Sequence, residues 1–358
     1  MQTSIPQSAS ATARLIRRVG WWTGFAFLSL SAALHCQSPS PHTPTITATS
    51  NLVIVPALVR AASGESLPAL HASGFLLTDD GVRQAVTLED TEHQPLSVLV
   101  LMQTGGAAVE ELPLYAKLGT MLSYLTANSP HRVALVEFDS KPEYAWDFTS
   151  NLDDLDGGFT HPDAGDSGAA ILDAVNYSID LLRKEPATYR RVIVLISQTH
   201  DEGSRVRAED IVRRLGENNI TIECIAFSPE KAWLKDQFTK PRHENAPYQL
   251  SPNLPPLLHT FNLGEPLGVA FKAMRTDTSG EIAALSGGES LPFATKAELD
   301  QQLALLANHF AATYTLSFRP TSNQPGFHSL QLRIAGHPEA RVSARTSYWL
   351  ASDSHPGK

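Results

Sequence analysis

The chain has only 2 cysteines among its 358 residues, and they cannot staple a fold. Cys36 sits in a polar N-terminal stretch, and Cys224 lies inside the apolar run TIECIAF, where it reads as a small core hydrophobe. Positive charge is also scarce. Arg14, Arg17 and Arg18 belong to a leader-like segment, and 28 basic side chains less these three stand against 37 acidic ones, a formal charge of −12. That balance excludes nucleic acid as an expected partner. Long apolar runs are missing beyond Val19 to Leu34, which is short for a membrane span and suits a signal-peptide core. Catalytic patterns are missing too. There is no G-x-S-x-G elbow, H-E-x-x-H pair, phosphate-binding loop or G-x-G-x-x-G turn, and the 13 histidines are dispersed, so an enzyme is not expected and no cofactor is implied.

What is present begins with a targeting pattern over residues 1–36, with small residues Ser31, Ala32 and Ala33 offering a cleavage site. A Pro/Ser/Thr-rich tether follows over 37–50. The expected location is secreted or periplasmic, and membrane attachment is expected only if Cys36 carries a lipid, an arrangement that His35 disfavours.

Residues 51–94 read as β-structure. Leu52 to Leu58 is a strand broken by Pro56, and Phe75 to Thr78 and Val82 to Leu88 flank the turn residues Asp79, Asp80 and Gly81. Asp80 could be taken for a metal ligand, but its place before Gly81 makes it a turn residue. From Pro95 to about residue 310, strands alternate with helices: Val98 to Met102, a helical pattern from Glu110, Arg132 to Phe138, Tyr144 to Phe148 at an edge, a helix through Leu172 and Leu182, Val192 to Ile196, a helix ending at Gly216, Ile220 to Phe227, and a helix from Lys296 to His309. That alternation predicts a doubly wound, mostly parallel α/β sheet of Rossmann-like type. Residues 228–268 lose periodicity and carry seven prolines with Trp233, Phe238 and Tyr248; a loop of that length beside the ligand edge is a candidate partner surface. Residues 311–350 return to β, at Tyr314 to Phe318, Leu330 to Ile334, and Val342 to Trp349. Neither terminal set can bury a face alone. Together they are expected to make one β-sandwich-like domain with the α/β domain inserted.

The stretch PLSVLVLMQTGGA, Pro95 to Ala107, resembles the first strand and loop of a von Willebrand factor type A domain, in particular the secreted bacterial VWFA-related subfamily. The resemblance extends to Leu70, Phe75, Asp80, Gly81 and Gln84 before it, and to Tyr314, Leu316, Phe318, Pro320, Arg345 and Tyr348 after it. In that family, a D-x-S-x-S loop, a Thr from a second loop and an Asp from a third hold Mg²⁺ with one position open for a partner's carboxylate. By the resemblance, the five ligand positions here are Gln103, Gly105, Ala107, Ala169 and Gln198, and all five have lost the ligand type. The implied protein is a non-catalytic interaction or adhesion module with a degenerate metal site and an unidentified protein partner. Thr104, Gly106, Asp166, His200 and Asp201, with the three aromatics of the long loop, are the candidate contact residues. The alternative is metal-assisted binding at a relocated oxygen site formed by His200, Asp201 and Glu202 with Asp163 and Asp166.

Overall fold

A computed structural model describes residues 52–89, 94–126, 129–227 and 270–351. The expectations for the leader, the tether and Cys36, and for Trp233, Phe238 and Tyr248, fall outside these residues. No helix among the described residues is long and apolar enough to cross a membrane.

The central strand β5 (Leu96–Gln103) is buried along its whole length, as expected of a strand with helices over both faces. Its neighbours are β6 (His131–Phe138), β7 (Pro142–Thr149), β8 (Arg190–Gln198), β9 (Ile220–Phe227) and β10 (Ser290–Phe293), in the order β10-β9-β8-β5-β6-β7. All pairs are parallel except β6 with the edge strand β7. Alternate residues of β5 divide between two cores. Val98, Val100 and Met102 pack with α1 (Ala116–Thr126), α2 (Asp156–Thr160) and the long helix Lys296–Ala311. Leu99 and Leu101 pack with α3 (Ile171–Leu182), α4 (Ala208–Glu217) and α5 (Thr278–Ser286). The sheet is therefore doubly wound. The helix over Lys296–Ala311, α6, opens on Thr295, whose hydroxyl accepts from the Glu298 N–H while the Glu298 carboxylate accepts from the Ala294 N–H, an N-terminal cap read directly from the residue types.

The terminal strands form two four-stranded antiparallel sheets. One is ordered β13-β1-β11-β4 and the other β14-β12-β2-β3, where β1 is Val53–Arg60, β2 Phe75–Asp79, β3 Val82–Gln84, β4 Thr87–Leu88, β11 Tyr314–Phe318, β12 Gly326–Ile334, β13 Arg341–Ala344 and β14 Ser347–Leu350. Each sheet mixes strands from both ends of the chain. Val53, Val55, Ala57 and Val59 of one layer pack with Phe75, Leu77, Leu330, Ile334 and Tyr348 of the other, a two-layer apolar core of the kind the separate pieces lack.

Several expected boundaries are corrected. Val82 to Leu88 is not one strand, because the chain leaves one sheet after Gln84 and joins the other at Thr87. Val342 to Trp349 likewise divides, since Arg345 turns inward between β13 and β14. No α-helix starts at Glu110. Two short 3-10 turns, Gly106–Glu110 and Leu112–Leu114, precede α1, and Pro113 between them cannot donate to a helix and disfavours α backbone at Leu112. Asp79 is strand rather than turn, and the hairpin turns on Asp80 and Gly81, with φ of 48° and 81°, the paired left-handed conformation of a tight two-residue hairpin.

The sandwich meets the α/β body through buried charge. Arg60 reaches Glu289 at 3.5 Å, His309 reaches the same carboxylate at 3.1 Å, and the Glu289 N–H donates to Glu223 at 2.9 Å. Burial, reinforced by the charge of Glu289, pushes the Glu223 carboxyl up to about 8 from its ordinary 4.5, against the opposing Glu289 N–H and Arg190. The native state then holds a proton that the unfolded chain releases, so this group's contribution is full below 4.5 and is lost as pH rises through 8. Glu223→Gln is expected to flatten the decline in stability across that window, read by urea unfolding on either side of it; an unchanged slope would contradict this account.

Candidate functional site

The loops at the carboxyl ends of β5, β6 and β8 meet where ligands bind in open α/β sheets. Gln103 ends β5, is fully buried, and faces Gln198 at the end of β8. The Gln103 side chain accepts from the Gln198 backbone N–H at 2.9 Å through Oε1, and its Nε2 donates to Gln198 Oε1 at 3.1 Å and to the Gly105 carbonyl at 2.9 Å. Gln198 Nε2 in turn donates to the His200 carbonyl at 2.7 Å. The backbone donor fixes which way the Gln103 amide points, and one amide–amide bond, with the bonds to the Gly105 and His200 carbonyls, ties the two loops together. The Tyr115 hydroxyl closes the set from below by donating to the Gln103 carbonyl at 3.0 Å.

Gly105 is packed against the second loop. A Cβ there would collide with the Asp166 carbonyl oxygen and lie 2.5 Å from Asp139 Cβ and 2.9 Å from the Gly168 carbonyl oxygen. The Gly106 N–H donates to that Asp166 carbonyl at 2.7 Å, and the Gly165 N–H donates to the Thr104 carbonyl at 3.1 Å. Ala169 is fully buried and makes a two-way bridge with Glu202, which ties the second loop to the third. Ala107 is half-buried against the core on the α1 side. The structure thus brings four of the five positions, Gln103, Gly105, Ala169 and Gln198, into one hydrogen-bonded closure, while Ala107 packs beside it. Gly105→Ser is expected to cost about 1–3 kcal/mol of stability, the usual range for overpacking, because backbone rather than a flexible side chain must give way; a variant melting with the unchanged chain would refute this.

Asp139 and Ser140, which sequence reasoning passed over, organise this closure. The Asp139 carboxylate accepts from the Asp166 N–H at 2.9 Å and the Lys141 N–H at 3.2 Å, and its carbonyl accepts from the Ala170 N–H at 2.8 Å. Asp166 accepts from the Ser140 hydroxyl at 2.5 Å, the Ser140 N–H and the Gly168 N–H, and these bonds hold its carboxyl below the usual range. Glu137, two residues before Asp139, is buried with one carboxylate oxygen that makes no hydrogen bond; desolvation, then the charge of Asp163, raises it to about 7. The signal was a lone carboxylate at the end of the apolar run VALVEF.

The candidate contact residues separate. Thr104, the residue after β5, is 2% exposed, and its N–H and hydroxyl both turn to the Phe138 carbonyl, so it offers a partner almost no surface. Gly106 is half-buried, whereas Asp166 and His200 are exposed. Asp201 accepts from the Leu172 N–H at 3.0 Å and the Ser204 hydroxyl at 2.6 Å, a cap on the first turn of α3. With His200 it lines a groove of about 720 Å³ together with Phe271, Lys272, Met274 and Arg275. The relocated oxygen site finds no convergent geometry: among the described residues, the His, Asp and Glu side chains whose ligand atoms gather in a group of three are Asp79, Asp80 and His328, in the sandwich.

No family model matches the chain, and no curated protein does. Among solved structures it is similar to the vWF domain of the type V pili tip protein Mfa5 from Porphyromonas gingivalis, at 17% identity and a TM-score of 0.27 over 30% of this chain and 39% of that one. It is similar to the PilB minor pilin of Streptococcus sanguinis at 13% identity and a TM-score of 0.39, over 63% of each chain. It is also similar to BatB from Bacteroides thetaiotaomicron at 13% identity and a TM-score of 0.34, over 59% of this chain and 98% of that one. The chain spans less than two thirds of the pilus proteins it matches, and what it has in common with them is a partial likeness of fold.

Proposed function

We propose that this chain is a non-catalytic, extracytoplasmic protein-interaction module on a von Willebrand type A-like scaffold whose metal loop has become a hydrogen-bonded closure. The observation that carries the reading is the reciprocal amide pair of Gln103 and Gln198. Neutral amides replace the carboxylates a hard cation needs, and each already spends its oxygen on the other. The Gly105 position supports it, since a serine there would collide with the loop that packs over it.

The partner surface we assign is the groove beside this closure, where His200, Lys272 and Arg275 offer polar and cationic contacts around Phe271. Metal-free recognition then rests on shape and rim charge rather than on a bridging ion. Affinity capture from the native envelope in excess chelator tests both parts. Partner retention in chelator, lost in the exposed double variant Lys272→Glu with Arg275→Glu, is the expected result. Capture that requires Mg²⁺, or that the double variant leaves untouched, would overturn it.

A further inference from the structure

At the end of the β2–β3 hairpin, three ligand-type atoms face one point. His328 Nδ1 lies 2.8 Å from Asp80 Oδ2 and 3.4 Å from Asp79 Oδ1, and all three atoms lie within 4.8 Å of one another. Asp79 is 2% exposed and His328 is 4% exposed. Neither Asp79 Oδ1 nor His328 Nδ1 makes a hydrogen bond, despite their closeness. Buried atoms of this kind are costly to leave without a partner.

The rest of each side chain is held. His328 Nε2 lies 2.7 Å from the Gln324 carbonyl, an acceptor, so Nε2 carries a hydrogen and a neutral ring presents a bare lone pair at Nδ1. The ring is stacked on Tyr348, with centroids 4.8 Å apart. The Tyr348 hydroxyl donates to Asp79 Oδ2 at 2.8 Å, and the Ser329 N–H donates to Asp80 Oδ1 at 2.8 Å. Every atom that does not face the common point is therefore anchored from outside. A metal-binding histidine whose second nitrogen donates to a carbonyl, beside carboxylates hydrogen-bonded on their other oxygens, has the same outer-shell arrangement.

A proton alone serves this geometry poorly. Although Asp80 Oδ2 is only 2.8 Å from Nδ1, the pair is not aligned for a hydrogen bond. A cation bound at Nδ1 is the alternative: at metal–ligand distances of about 2.0–2.2 Å, the 2.8 and 3.4 Å separations of Nδ1 from the two carboxylates subtend roughly 80–115° at the ion, around the octahedral and tetrahedral angles. Asp80 is exposed, so the position has a route to solvent and room for water to complete the coordination.

We propose that Asp79, Asp80 and His328 form a structural site for a first-row divalent cation of the Zn²⁺ or Co²⁺ type, one that imidazole nitrogen and carboxylate oxygen together can hold. The ion would pin the hairpin of the N-terminal segment to β12 of the C-terminal segment, next to the Asp79–Leu330 pair. This site is independent of the amide closure and of the interaction reading.

The test uses the full chain stripped with chelator and titrated with Co²⁺, followed by its visible absorption, with Zn²⁺ as competitor and the melting temperature as second readout. Asp80→Asn is the key variant, because asparagine tolerates the left-handed turn and keeps the acceptor for Ser329. One equivalent of Co²⁺ displaced by Zn²⁺, a melting temperature raised by either ion, at least tenfold weaker binding in Asp80→Asn and none in His328→Gln are expected. No stoichiometric binding, binding that Asp80→Asn retains in full, or an imidazolium at His328 that persists in saturating Zn²⁺ would overturn the site.

Discussion

Arg345→Ala is expected to lower stability by about 3–5 kcal/mol, since each buried carbonyl left without its donor costs about 1–3 kcal/mol, and to loosen the seam between sandwich and α/β body before either unfolds. Arg345 is 2% exposed, and its guanidinium donates to the Ile220 carbonyl at 3.0 Å, the Asn219 side-chain oxygen at 3.2 Å and the Ser286 carbonyl at 3.4 Å. Ser286 is the last residue of α5, so a cation meets the negative end of the helix. Burial draws the guanidinium down to about 10, which leaves it charged at neutral pH. Without it, the buried Ser286 and Ile220 carbonyls lose the guanidinium as a donor, and so does the half-buried Asn219 side chain. Arg345→Lys keeps the charge but not the fork and should fall between. Urea unfolding followed by sandwich and α/β probes separately reads the result; a variant within 1 kcal/mol of the natural chain would sink the account.

Gln103→Glu should cost a comparable 3–5 kcal/mol or so, for the opposite reason. The substitution is nearly isosteric and keeps the acceptor for the Gln198 N–H. It converts the donor at Nε2 into a second acceptor, set against the Gly105 carbonyl and Gln198 Oε1. A buried carboxylate in that setting either takes up a proton or expels the loop. Stability should accordingly recover as pH falls, since a carboxyl with a raised native pKa is least costly when protonated. The double variant Gln103→Glu with Gln198→Lys would restore complementarity in part. An indifferent Gln103→Glu melt would remove the amide pair as the organiser of the closure.

Much of this architecture was legible because period and burial agree. The run Val98 to Met102 could only be a strand covered on both faces, and Gln103 and Gln198 at the ends of such strands had to meet at one sheet edge. The amide pairing itself was not legible, since periodicity fixes which face a residue takes but not its hydrogen bonds. The splitting of Val82–Leu88 and of Val342–Trp349 between sheets was hidden for the same reason: both halves alternate properly, and the crossing is set by partners far away in sequence. Thr104 was misplaced because a polar residue beside glycines reads as loop surface, whereas here its N–H is bonded to the Phe138 carbonyl and its carbonyl to the Gly165 N–H. His328 had a usable signal, since it shares the inward parity of Leu330 and Ile334 in β12.

The pairing of Val53 with Phe318 has a kinetic side. β1 leaves the ribosome long before β11, so the N-terminal strands must wait, edges open, until about the last eighth of the chain exists. Closing so long a connection as flexible chain would carry a large entropic penalty, one that grows with the logarithm of its length. A pre-folded insert removes most of that length: once α6 has docked, only Ala312 and Thr313 separate it from β11. Folding of the α/β body therefore sets the rate at which the two ends of the chain find each other, and an insert variant that folds slowly should leave the terminal strands open to proteases and to one another, even where the finished structure is equally stable.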